Sequence, residues 1–75
     1  MDKHGISFAD AEGVFYDPLA LSFQDNDAVD ERRYISVGLG SSSEILVVVW
    51  TERSEDIRLI SARRATRKER KAYEG

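Results

Sequence analysis

Cysteine is absent from this 75-residue chain, which excludes a disulfide framework and any thiolate metal site. Histidine occurs once, as His4, too few for the imidazole sets that hold transition metals. No acidic cluster has the spacing of a calcium loop. Neither a metal nor a cofactor is expected. Proline also occurs once, at Pro18, so the chain has a single hard break to regular structure. The longest apolar run, residues 45–50, is far short of the roughly 20 residues of a membrane helix. The opening Met1-Asp2-Lys3-His4-Gly5 lacks the pattern of a secretion signal, and the expected compartment is the cytoplasm. Gly38-Leu39-Gly40-Ser41 ends a strand pattern in a turn rather than opening a helix, so it is not a phosphate loop. Scattered serines and one histidine do not define a hydrolytic triad.

What is present is alternation and charge. Hydrophobic residues make up 41% of the chain and charged residues 33%, the balance of a folded globular chain rather than a disordered one. The length suits one domain, residues 1–75, with a small core. Net charge is -3, but it is unevenly spread. Residues 1–31 carry eight acids against Lys3 alone, whereas residues 32–75 carry ten bases against six acids. A basic second half suits a polyanion or an acidic partner, and an acidic first half would be turned away from RNA. An ordinary solvated charged surface accounts for the same counts.

The elements follow from periodicity. Ser7 with Asp10 marks a helix start, and Phe8, Ala11, Val14 and Phe15 form its apolar stripe until Asp17-Pro18 stops it. Leu19, Leu21 and Phe23 alternate with smaller or polar residues, as in a half-buried strand, and a polar acidic loop follows. Ile35, Val37 and Leu39 make a second strand, with a hairpin at residues 40–43. Residues 45–50 are apolar on both faces, as a central strand requires. Residues 52–56 read as a charged turn, and Ile57, Leu59 and Ser61 against Arg58, Ile60 and Ala62 read as a fourth strand, antiparallel because its connection is short. Thr66 and Glu69 form a capping box for a last basic helix over residues 67–73, too polar to enter the core. The expected class is α+β: a twisted antiparallel sheet of about four strands, a helix packed on one face, and a short basic C-terminal helix. Simple alternation places Ala20, Ser22, Tyr34, Ser36, Gly38 and Arg58 on the face away from the first helix, as a shallow concave site.

Arginine dominates the candidate chemistry. Arg32, Arg33, Arg53, Arg58, Arg63, Arg64, Arg67 and Arg70 outnumber the three lysines, and a guanidinium can grip phosphate oxygens through paired hydrogen bonds. Ion pairing with the fourteen acids is the ordinary alternative for each. Arg58 and Arg63 stand out because they lie in or at the end of a strand. His4 can shuttle protons near neutral pH or serve as a structural hydrogen-bonding group. Glu52 can act as a base on a ribose hydroxyl or pair with Arg53.

Several stretches together resemble the BrnT family: Lys3-His4-Gly5-Ile6-Ser7-Phe8 with Ala11, Phe15-Tyr16-Asp17-Pro18-Leu19-Ala20, and Glu31-Arg32-Arg33 before a strand ending Val37-Gly38. Val48-Val49-Trp50-Thr51-Glu52-Arg53 and the segment from Arg58-Leu59-Ile60-Ser61-Ala62-Arg63-Arg64 to Ala65-Thr66-Arg67-Lys68-Glu69-Arg70 complete it. Their order and spacing span nearly all of the chain. The resemblance implies a RelE-like ribonuclease fold and a toxin of a type II toxin–antitoxin pair that cleaves RNA and inhibits translation; the scarcity of metal ligands favours a metal-free mechanism. It further implies neutralisation by a BrnA-type antitoxin, dimeric and DNA-binding, through which alone the toxin would meet DNA. Family positions fall on Lys3, His4, Glu52, Arg58 and Arg63 as catalytic candidates. Glu52 or His4 would act as base, Arg58 and Arg63 would stabilise phosphorane charge, and Lys3 or His4 would assist the leaving oxygen. Arg33, Arg53, Arg64 and Arg67 are the RNA-binding candidates. Family members usually place a first strand and helix ahead of Lys-His-Gly, so a sheet with one strand fewer and an exposed edge is expected here. Two other readings stay open: an inactive antitoxin-binding module that takes part in transcriptional autoregulation, and a general RNA-binding domain.

Overall fold

The computed structural model describes residues 6–25, 32–53 and 55–75, with Arg53 described in its backbone only. Helix α1 (Phe8–Glu12) starts where Ser7 Oγ accepts the Asp10 amide at 3.1 Å, which satisfies one of the orphan amides of a first turn. It then tightens into a 3-10 turn, Gly13–Tyr16. The break after it is built by Asp17, whose Oδ1 accepts the Leu19 amide at 3.0 Å around Pro18. The next strand therefore begins two residues later than alternation predicts. Four strands follow, β1 (Leu21–Gln24), β2 (Arg33–Leu39), β3 (Ile45–Arg53) and β4 (Asp56–Arg64), then helix α2 (Arg67–Glu74). They form the expected four-stranded antiparallel sheet, in the order β1-β2-β3-β4. Arg53 pairs with Asp56, so the expected five-residue charged turn is mostly strand.

Strand β3 lies inside the sheet and feeds a core on each face. On one face Leu46 and Val48 pack with Ala62 of β4 and with Ile6, Ala11 and Val14, flanked by Phe15, Ala20, Trp50 and Leu59. On the other, Val47 packs with Val37 and Ala65, flanked by Ile35, Ile45 and Tyr73. No residue of α2 is buried, and only the half-buried Tyr73 ties that helix to the second core.

The assignment of faces differs from simple alternation in an instructive way. Ala20, Ser22, Ser36, Gly38 and Tyr34 lie under the first helix, not opposite it. Smallness there permits close approach: a Cβ on Gly38 would stand 2.9 Å from Ala20 Cβ and 3.0 Å from Val14 Cγ1. The polar groups are satisfied, because Ser36 Oγ takes the Trp50 indole N–H at 2.8 Å and shares a 2.8 Å hydrogen bond with Ser22 Oγ. Tyr34 stacks on Trp50 with ring centroids 4.6 Å apart, and Phe15 meets that indole edge-on at 5.6 Å. Arg58 is separated from this group by a bulge. Leu59 pairs with Trp50 and Ser61 with Val49, which leaves Ile60 as the extra residue of β4. An extra residue reverses the alternation of everything beyond it. Ala62 therefore enters the helix-side core, while Arg58 pairs with Thr51 on the opposite face.

Candidate functional site

Directly paired residues of antiparallel strands share a face, so the register draws the open face as rows. Leu21, Val37, Val47 and Arg63 form one; Phe23, Ile35, Val49 and Ser61 form the next; Arg33, Thr51 and Arg58 form the third. With neighbouring strands about 4.8 Å apart, Arg33 and Arg58 flank Thr51 across roughly 10 Å of sheet. Thr51 is 1% exposed, and its hydroxyl donates to the Arg32 carbonyl at 2.5 Å, which holds the approach to β2 against β3. Arg33 Nε is buried without a hydrogen-bond partner among the described residues. Arg58 is exposed at the sheet edge. Neither arginine forms a salt bridge among the described residues.

Arg63 is held differently. Its guanidinium donates to both carboxylate oxygens of Glu69, at 2.7 and 2.8 Å. Glu69 simultaneously accepts the Thr66 amide at 2.8 Å, while Thr66 Oγ1 accepts the Glu69 amide at 3.2 Å. One carboxylate thus completes the capping box of α2 and fixes an arginine of the open face. The Arg63 hydrogen bonds, then the Thr66 amide, lower the Glu69 pKa from 4.5 to about 2. The same contact raises that of Arg63. At the far end of α2, the Tyr73 hydroxyl donates a hydrogen bond to Asp17 Oδ2, which also accepts the Leu39 amide at 2.8 Å. Tyr73, then Leu39 and Leu19, hold the Asp17 carboxyl below its usual range. Asp17 thereby joins the end of the first helix, the end of β2 and α2.

Between α2 and the sheet lies a groove of about 230 Å³. Leu21, Phe23, Ile35, Val37, Val47 and Val49 make it apolar, with Ser61, Arg63, Glu69 and Ala72 along its other side. A wider cavity of about 700 Å³ sits on the helix-bearing side, among Phe8, Glu12, Phe15, Tyr16, Ile57 and Leu59, and reaches Arg58 at the edge. Each cavity touches one arginine and one carboxylate, Arg63 with Glu69 in the groove and Arg58 with Glu12 in the wider cavity; the open face is the better candidate for anion chemistry because its register brings Arg33, Arg58 and Arg63 to one side of the sheet.

The remaining candidates are dispersed. Glu52 pairs with Ile57 and falls on the helix-bearing face, away from the arginine row. Arg64 pairs with Leu46 on that same face and donates through Nε to Glu44 at 2.6 Å. Arg67 is exposed at the first position of α2. Arg53 ends β3 in register with Asp56, and its side chain lies outside the described residues, as do Lys3 and His4. Sequence reasoning did not single out Thr51, Ser61 or Phe23, whose placement depends on pairing, and it read Glu69 only as a cap. Among the described residues no group of three or more His, Cys, Asp or Glu is placed to hold a metal ion. No described helix is long and apolar enough to cross a membrane.

Residues 1–69 match the family model described as ribonuclease toxin, BrnT, of type II toxin-antitoxin system. No curated protein gives a match.

Proposed function

The chain belongs to the BrnT family of ribonuclease toxins of type II toxin–antitoxin systems, and from that premise we propose that it is a RelE-like, metal-independent endoribonuclease that inhibits translation in the cytoplasm. A BrnA-type antitoxin, dimeric and DNA-binding, is the proposed partner, and DNA is met only through that complex. The observation that carries the reading is the row Arg33, Thr51, Arg58 beside the apolar groove, with Arg63 on the same face. Guanidinium groups gathered on one face of a sheet suit the negative charge that grows on the equatorial oxygens during phosphoryl transfer.

In the proposed reaction a ribose 2′-oxygen attacks the adjacent phosphorus as its proton passes to a base. The bond from phosphorus to the 5′-oxygen breaks, and that oxygen takes up a proton. The products are a 2′,3′-cyclic phosphate and a 5′-hydroxyl. Arg58 and Arg63 stabilise the pentavalent charge, Arg33, Arg53 and Arg67 hold flanking phosphates, and Lys3 or His4 assists the leaving oxygen; Arg64, on the helix-bearing face and engaged by Glu44, is set aside. Of the two proposed bases, Glu52 lies across the sheet from the arginine row, and His4 lies outside the described residues.

A second reading, an inactive module that binds antitoxin and takes part in autoregulation, is favoured by one observation: Arg63 is already engaged by Glu69. Incubation of the purified chain with RNA in EDTA separates the two. Cleavage with cyclic phosphate ends, reduced at least a hundredfold in Arg58→Ala, about the loss of one positioned charge donor, is the expected result. Intact RNA with retained antitoxin binding would overturn the catalytic reading in favour of the module. Arg58 is the variant of choice because it is exposed, whereas Arg63→Ala would also disturb the cap of α2.

A further inference from the structure

Phe23 is 52% exposed although it is a large aromatic. A lone exposed aromatic needs no explanation, but this one is continuous with an apolar floor. Its row runs through Ile35 and Val49 to Ser61, and the floor forms the groove that α2 borders through Glu69 and Ala72. Next to it stands Arg33, two residues from Ile35 along β2 and therefore diagonal to Phe23. Diagonal neighbours lie roughly 7–8 Å apart, within reach of long and aromatic side chains. The register thus sets a half-buried arginine diagonal to a bare ring.

Resting on the reading of this face as an RNA surface, we propose that Phe23 and the apolar groove beside it are a nucleobase-stacking platform for single-stranded RNA whose phosphates lie on Arg33 and Arg58. A nucleotide is charged at its phosphate and flat and apolar at its base, so a site for it needs two unlike surfaces in contact. Single strands expose the faces of their bases, whereas duplexes keep them stacked. The groove, at about 230 Å³, is smaller than the ~300–1,000 Å³ of pockets that enclose drug-sized ligands and suits one planar ring. Phe23 has no hydrogen-bonding group, so stacking on it tolerates any base. Discrimination between bases falls to the polar side of the groove, the Ser61 hydroxyl and the Glu69 carboxylate. The arginine row sets this occupant apart from an apolar protein segment, which would gain nothing from Arg33 and Arg58.

The test uses two probes that cannot be cleaved: a short 2′-O-methyl oligouridylate and the same backbone without bases. The wild-type chain is expected to bind the base-bearing probe about tenfold or more tightly than the abasic one, the usual gain from an aromatic stack. Phe23→Ala should abolish that preference and Phe23→Trp should keep it, with both folds checked by circular dichroism. Arg58→Ala should weaken both probes by the same factor and flatten their salt dependence. A preference that survives in Phe23→Ala, or equal wild-type binding of both probes, overturns the stacking platform and leaves the RNA surface standing. Wild-type protein that binds neither probe overturns the RNA reading and the platform with it.

Discussion

Replacing Glu69 by glutamine isolates one charge at the junction of α2 and the open face. The amide keeps the size of the carboxylate and its capacity to cap the helix, so the principal loss is the paired contact with Arg63. Taken at face value, the move of the Glu69 pKa from 4.5 to about 2 corresponds to about 3 kcal/mol. The side chains of Arg63 and Glu69 are 44% and 30% exposed, and solvent screening reduces the pair to about 1 kcal/mol. In a domain of this size that lowers Tm by roughly 4–8 °C. The pH dependence is a sharper signature. A carboxylate whose folded pKa is lowered contributes stability above its unfolded value and loses it as pH falls through the folded value. The gap between wild type and Glu69→Gln should be full above about pH 5.5, shrink through the range from 4.5 to about 2, and vanish below it. Urea unfolding followed by Trp50 fluorescence at a series of pH values measures it. A gap of equal size at neutral and strongly acid pH would refute the ion-pair account, as would no gap at neutral pH. Release of Arg63 should also tighten RNA binding in Glu69→Gln while stability falls, an opposition that a purely structural role would not produce.

Two further substitutions test the packing that positions the site. Gly38→Ala should cost about 1–3 kcal/mol, the range for overpacking, because its methyl group would meet Ala20, Val14 and, at 3.2 Å, Asp17 Oδ2; an unchanged urea midpoint would show that the first helix stands farther from the sheet. Tyr73→Phe keeps the ring against Val37 and Val47 but removes its hydrogen bond to Asp17. The Asp17 pKa, measured by NMR, should then rise toward the usual carboxylate value and the amides of α2 should exchange faster, whereas an unmoved Asp17 would mean that Leu39 and Leu19 alone hold it.

Much of the fold was legible because local rules and burial agree. The uninterrupted apolar run of β3 marks a strand with a core on each side, and Val47 and Val48 do belong to different cores. Ser7 and Thr66 marked helix starts because side-chain caps act over three residues and leave their signature in sequence. The site was less legible. Alternation through β4 grouped Arg58 with Ala62, and the bulge at Ile60 separated them. A bulge is chosen by how two strands settle against each other, and no residue type announces it.

By itself, then, the sequence determined the element order, the antiparallel class of the sheet, the basic character of the C-terminal half and the family. These follow from short-range periodicity, from counted charge and from motif order. Tertiary structure alone decided which face each side chain occupies: Gly38 and Ser36 beneath the helix, Arg33 and Arg58 flanking Thr51, Glu52 across from them, and Glu69 on Arg63. The reason is physical. Neighbours along a chain are set by covalent spacing, but neighbours across a sheet are set by register, and a shift of one residue exchanges its two faces.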